Sequence, residues 1–119
     1  MMTWMRFLIV AWLAIGSAFG FSFSNEAATD TILVTHLPRE ARQTLELIKT
    51  GGPFPYGRDG IVFGNFERRL PQHPRGFYRE YTVKSPWRRD RGPRRIIVGR
   101  DDSYYYTDDH YQSFRRIVE

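Results

Sequence analysis

The sequence predicts an α+β domain, with one N-terminal helix packed on a twisted antiparallel sheet. Three observations carry that prediction. Residues 37–50 place apolar side chains at helical spacing, with stop signals just beyond. From residue 61 onward, short runs rich in β-branched and aromatic residues alternate with loops rich in Gly, Pro and charge, the pattern of strands joined by hairpin-like connections. Aromatics make up 16% of the 119 residues, which supplies bulk for one modest core in a chain of single-domain length.

The elements follow in order. Residues 1–20 open with one positive side chain, Arg6, then an apolar run from 7 to 15, then small residues at Gly16, Ser17, Ala18 and Gly20. That is the pattern of a secretory signal peptide, with cleavage expected after Gly20. An uncleaved anchor is the other reading, but the apolar stretch 7–23 only reaches the lower limit for a membrane span. A secreted protein, extracellular or periplasmic and free of the membrane after cleavage, is therefore expected. Residues 21–36 form an N-terminal arm of mixed polarity, in which Ile32-Leu33-Val34 reads as a short strand or as a segment lying on the body. The domain proper is expected over 37–119.

In the helix, Pro38 suits the first turn, where its missing N–H costs nothing. Ala41, Leu45 and Ile48 form the apolar stripe, Leu47 widens it, and Gly51-Gly52-Pro53 ends it. Residues 52–60 are turn-rich. Strands are expected at 61–63, 77–84, 94–99, 104–107 and 113–118, with 64–67 and 85–92 as loops, 70–76 as a connector and 108–111 as the last turn.

The chemistry centres on 77–84. Side chains alternate along a strand, so Tyr78, Glu80, Thr82 and Lys84 share one face, expected to be the more polar one. Sixteen of the eighteen Lys and Arg residues are Arg. Twelve basic and four acidic residues lie between 58 and 100, a local net charge of +8, whereas 101–119 carries −3. Arginine forks bind phosphate bidentately, so a phosphate-rich partner follows. A carboxylate, an arginine cluster and a histidine are the parts needed to cut a phosphodiester by acid–base chemistry. With no cysteine, thiolate metal sites and disulfides are excluded. His36, His73 and His110 lie in unrelated contexts, so neither a metal nor any other cofactor is implied.

Six segments together bear a resemblance. They are Leu37-Pro38, Gly52-Pro53-Phe54-Pro55-Tyr56, Asp59-Gly60-Ile61-Val62-Phe63, Glu80-Tyr81-Thr82-Val83, Arg91-Gly92-Pro93-Arg94-Arg95-Ile96-Ile97 and Tyr105-Tyr106-Thr107-Asp108-Asp109-His110-Tyr111. In this order they resemble the microbial guanyl-specific ribonucleases, in the bacterial branch of barnase and the streptomycete enzymes. The resemblance implies the microbial ribonuclease fold and cleavage of single-stranded RNA 3′ to guanosine. The reaction is transesterification to a 2′,3′-cyclic phosphate, then hydrolysis. It implies Glu80 as general base, His110 as general acid, and Arg91 and Arg95 as phosphate and transition-state binders. It assigns guanine recognition to the loop after the first strand: Glu67 accepting from N1–H and the N2 amino group, backbone N–H groups around Asn65 donating to O6, Phe63 stacking on the base, and Tyr111 touching phosphate or base. Arg94, whose side chain points to the opposite face, is left out of the site. A small acidic inhibitor protein is a partner class the resemblance allows, and a monomer is expected.

Other readings remain at this level. Phe63 equally suits a core position, and the lesser alternative for Glu67 is an ion pair with Arg68 or Arg69. Arg88 and Arg89 read as loop charges that attract RNA without specificity. Phe66 stands where bacterial relatives often carry a polar or basic residue, Gly64 lacks a side chain, and the disulfide of the streptomycete relatives is absent. The competing function class is a basic secreted protein that binds RNA or other polyanions without cutting. A carboxylate inside an arginine field has no use in such a binder, which favours the enzyme.

Overall fold

The computed structural model describes residues 30–119. The expected signal peptide at 1–20, and the arm as far as residue 29, lie outside the described residues. Among the described residues no helix is long and apolar enough to cross a membrane.

Six strands form one sheet: β1 (Asp30–Leu33), β2 (Ile61–Phe63), β3 (Tyr78–Thr82), β4 (Arg95–Gly99), β5 (Tyr104–Thr107) and β6 (Arg115–Val118), in the spatial order β1-β6-β5-β4-β3-β2. All neighbours pair antiparallel except β1 with β6, which run parallel. The Ile32 segment is thus an edge strand, and a short 3-10 turn at Val34–His36 leads from it to the helix. The expected strands are found, but three are shorter than their β-prone runs, because pairing stops where the loops at 85–92 and 108–114 leave the ladder.

The helix α1 (Arg39–Thr50) begins after Pro38 and ends at Gly51, whose φ of 89° is the left-handed conformation that glycine adopts without cost. The N–H groups of Gly51 and Gly52 both donate to the Leu47 carbonyl, satisfying the last turn. Its inner face carries Ala41, Thr44 and Leu45. Thr44 is tolerated there because its hydroxyl donates to the Glu40 carbonyl at 3.0 Å.

The sheet separates two cores, as the alternation of side chains requires. On the helix side Leu37, Ala41, Leu45, Val83, Ile96, Tyr106 and Ile117 pack together. On the other side Leu70, Tyr78, Ile97, Tyr105 and Phe114 form a second cluster, with Phe63, Phe77 and Tyr111 against it. Successive residues divide between them: Ile96 faces the helix and Ile97 does not, and the same holds for Tyr106 and Tyr105. The Glu80 face of β3, although it carries the polar residues, is the buried one. Tyr78, Glu80 and Thr82 are all buried while Arg79 is exposed, because the second cluster and the loops around it cover that side.

Arg94 is buried on the helix side, where Nε donates to the Tyr106 hydroxyl at 3.0 Å and Nη1 to the Lys84 carbonyl at 3.1 Å, with Glu40 at 3.4 Å. A charge can be buried there because its donors are occupied. Ile96 is fully buried at the centre of the helix-side core. Ile96→Ala is expected to lower unfolding stability by about 2–5 kcal/mol, read as a lower urea midpoint with an unchanged m-value.

Candidate active site

β3 supplies the carboxylate. Glu80 pairs across to Ile61 on β2 and Ile97 on β4, so its backbone is fixed on both sides. Its side chain is 11% exposed. Oε1 accepts from the Tyr111 hydroxyl at 2.8 Å, and Arg91 Nη2 lies 3.9 Å away. Oε2 has no hydrogen-bond donor among the described residues.

β4 supplies a buried guanidinium. Arg95 is 3% exposed. Nη1 donates to the carbonyls of Gly92 and Arg94, both at 2.8 Å, and Nε to the Tyr111 hydroxyl at 3.1 Å. In the sheet register Arg95 stands between Thr82 on β3 and Thr107 on β5. Each threonine holds a neighbour of the site. Thr82 Oγ1 accepts from Arg91 Nε and Nη2 at 3.1 and 2.9 Å, and Thr107 Oγ1 accepts from the Tyr111 N–H at 3.2 Å. Burial raises the Tyr111 hydroxyl pKa, and its hydrogen bond to Glu80 pushes the same way, while Arg95 opposes both. The hydroxyl therefore stays a donor, which Glu80 needs.

His110 and Tyr111 occupy the turn between β5 and β6. Both have positive φ, 57° and 72°, a conformation that costs a side-chain-bearing residue about 1–2 kcal/mol. The turn is held in it by Asp109. Its carboxylate accepts from Thr107 Oγ1 at 2.8 Å, the Ser113 N–H at 3.0 Å and Ser113 Oγ at 2.5 Å. The His110 N–H donates to the Pro93 carbonyl at 3.0 Å, which brings the turn against the arginine loop. His110 is exposed, with its ring 4.8 Å from that of Tyr111.

Beside this cluster lies a cleft of about 270 Å³, whose lining includes Phe63, Asn65, Phe66, Glu67, Glu80 and Tyr111. Phe63 is half-buried and stacks on Tyr111 with centroids 5.3 Å apart, so it belongs both to the core edge and to the cleft wall. Asn65 takes φ 53°, which asparagine tolerates. Its side chain donates to the Leu70 carbonyl at 3.0 Å and accepts from the Leu70 N–H at 3.1 Å. These bonds shape the 64–70 loop, and among the described residues the N–H groups of Phe66 and Glu67 have no acceptor. Glu67 pairs with Arg69 at 2.9 Å and is 68% exposed.

The eight residues singled out from the sequence thus gather around one cleft and its rim. Glu80, Arg91, Arg95 and Tyr111 are linked directly, and Phe63, Asn65 and Glu67 line the cleft. His110 stands on the rim, outside the lining. Sequence reasoning missed the supporting residues Thr82, Thr107 and Asp109. The Thr107/Asp109/Ser113 spacing is that of short side chains bonding their own backbone nearby, a signal that could have found the turn.

A family model described as ribonuclease matches residues 22–118. Guanyl-specific ribonuclease St of Saccharopolyspora erythraea is 52% identical over 89 residues, covering 75% of this chain and 88% of that one. Guanyl-specific ribonuclease Sa of Kitasatospora aureofaciens is 51% identical over 88 residues, covering 73% and 92%. Among solved structures, ribonuclease Sa2 with guanosine-2′-cyclophosphate superposes with a TM-score of 0.74 at 45% identity, covering 76% of this chain and 97% of that one.

Burial on its own would raise the Asp109 carboxyl pKa, but the hydrogen bonds from Ser113 and Thr107 outweigh it and hold the pKa below the usual carboxylate value. A depressed folded pKa contributes stability above the unfolded value, near 3.9, and loses it as pH falls through the folded one. Asp109→Asn is expected to cost about 1–2 kcal/mol at neutral pH. The gap from the parent should narrow below about pH 4, as thermal melts across the acid range would show.

Proposed function

The chain belongs to the microbial guanyl-specific ribonuclease family, and from that premise we propose that it is a secreted endoribonuclease cutting single-stranded RNA 3′ to guanosine. The observation that carries this is the joined cluster of Glu80, Tyr111 and Arg95 beside a cleft walled by the 63–67 loop.

Glu80 is the general base. The Tyr111 hydroxyl donates to its Oε1 and Arg91 lies alongside, which orients the carboxylate, and Oε2 is left to take the proton from the ribose 2′-OH. The 2′-oxygen attacks the adjacent phosphorus, and the P–O5′ bond breaks. His110 donates a proton to the departing 5′ oxygen, which leaves a 2′,3′-cyclic phosphate. Water then opens that ring with the two roles reversed. The nucleophile belongs to the substrate, so the protein has only protons to move and charge to stabilise. Arg91 and Arg95 supply the charge, fixed in place before the phosphorane forms.

Guanine fits the cleft through Glu67, which accepts from N1–H and the N2 amino group, and through the N–H groups of the Asn65 loop, which donate to O6. Phe63, braced by Tyr111, offers a stacking face. Glu67 must exchange Arg69 for the base. An exposed ion pair is worth about 0–1 kcal/mol, less than two hydrogen bonds to a carboxylate, so the exchange favours binding. Residues 1–20 direct export and are removed after Gly20. The basic rim of the cleft suits a small acidic inhibitor protein.

Cleavage of GpX, ApX, CpX and UpX dinucleotides with EDTA present tests this. GpX alone is expected to give a 2′,3′-cyclic phosphate, with Glu80→Ala and His110→Ala each slower by about 10²–10⁴. Binding of RNA without cleavage would overturn the assignment.

Glu67→Gln removes the charge from the proposed guanine reader without touching the core. It is expected to lower kcat/KM for GpX about tenfold to a hundredfold and to shrink the preference over ApX. An unchanged preference would remove Glu67 from the site.

A further inference from the structure

Trp87 is 68% exposed in the loop that joins β3 to β4. Its indole lies over the guanidinium of buried Arg94, 4.9 Å from the ring centroid. Arg94 is itself fixed by Tyr106, Lys84 and Glu40, so the indole rests on an anchored cation. Trp87 is one wall of a cleft of about 360 Å³ that also includes His36, Arg94, Tyr106, Asp108 and Arg115. Asp108, the acidic member, is occupied by Arg115 at 3.4 Å. Lys84, Arg88 and Arg89, close to Trp87 along the chain, are exposed; Arg88 is paired with Asp90 at 2.8 Å, and among the described residues Arg89 has no ion-pair partner. An exposed aromatic plane backed by one cation and close along the chain to others is the composition that binds a single strand: stacking takes the base and arginine takes the backbone.

The position of the cleft identifies the strand. The same loop continues to Arg91, which is held on Thr82 beside Glu80. The turn that carries His110 also carries Asp108, and it is tied to the arginine loop through the Pro93 carbonyl. This second cleft lies on the helix side of the sheet, across the turn 108–111 from the first site, with Asp108 on its wall and His110 two residues further on. In the reaction assigned above, His110 protonates the oxygen of the downstream nucleotide, so the downstream strand leaves past it.

We propose that Trp87, with the cleft behind it, is a subsite that stacks a base of the RNA strand 3′ to the cleaved bond. This rests on the ribonuclease reading and extends it from a dinucleotide to a longer substrate.

The test compares GpU with the same step extended at its 3′ end by several nucleotides, using the full chain, Trp87→Leu and Trp87→Phe. The parent is expected to show higher kcat/KM on the extended substrate. Trp87→Leu should cut GpU like the parent but lose about five- to a hundredfold on the extended substrate, the range for one stacked base. Trp87→Phe, which keeps an aromatic plane, should retain most of the gain. Equal use of the extended substrate by parent and Trp87→Leu would overturn the subsite and leave the ribonuclease reading intact. Equal losses on both substrates would also overturn it, since the effect would then reach the reaction centre. No cleavage of either substrate by the parent would remove the ribonuclease reading and the subsite with it.

Discussion

A buried guanidinium needs acceptors for its donors, and the acceptors that Arg95 finds for Nε and Nη1 organise the site. Two backbone carbonyls and the Tyr111 hydroxyl accept from it, and the Tyr111 hydroxyl in turn donates to Glu80. One chain of hydrogen bonds thereby joins β4, the last turn and β3. Removing any member would strand a polar group in a nearly dry place, which costs more than the bond itself contributes. Glu80 and Arg95 sit on paired strands, where backbone position is set by neighbours on both sides. This is how a site is held to the tolerance catalysis needs.

The other half of the site is built differently. Glu67 and His110 are exposed, and each stands on a loop shaped by side chains that bond backbone nearby: Asn65 for one, Thr107 and Asp109 for the other. Positive φ at Asn65, His110 and Tyr111 shows where the chain turns sharply without glycine. Short polar side chains offset that cost locally. Glu80 and Arg95 are therefore rigid and buried, Arg91 is partly exposed, and Glu67 and His110 stand at the surface.

The two faces of the sheet share the arginines. Arg94 and Arg95 are adjacent, yet one is anchored under Trp87 among helix-side residues and the other beside Glu80. A single residue step along a strand reverses direction, so one short basic segment serves both sides.

The sequence by itself determined the helix, the order of the strands and the pairing of a carboxylate with arginines and a histidine. Those features are local: spacing, turn residues and charge. It also separated Arg94 from Arg95, since alternation needs only the strand. The burial of the Glu80 face was not legible in the sequence, because Phe63, Leu70 and Phe114 reach it from distant parts of the chain. The parallel edge strand depends on a pairing between residues 30–33 and 115–118, which no local pattern encodes. Tyr111 as the bridge between Arg95 and Glu80, and Asp109 as the support of the turn, were decided only by the fold. Hydrogen bonds between residues far apart in sequence exist only once packing has brought their strands and turns together.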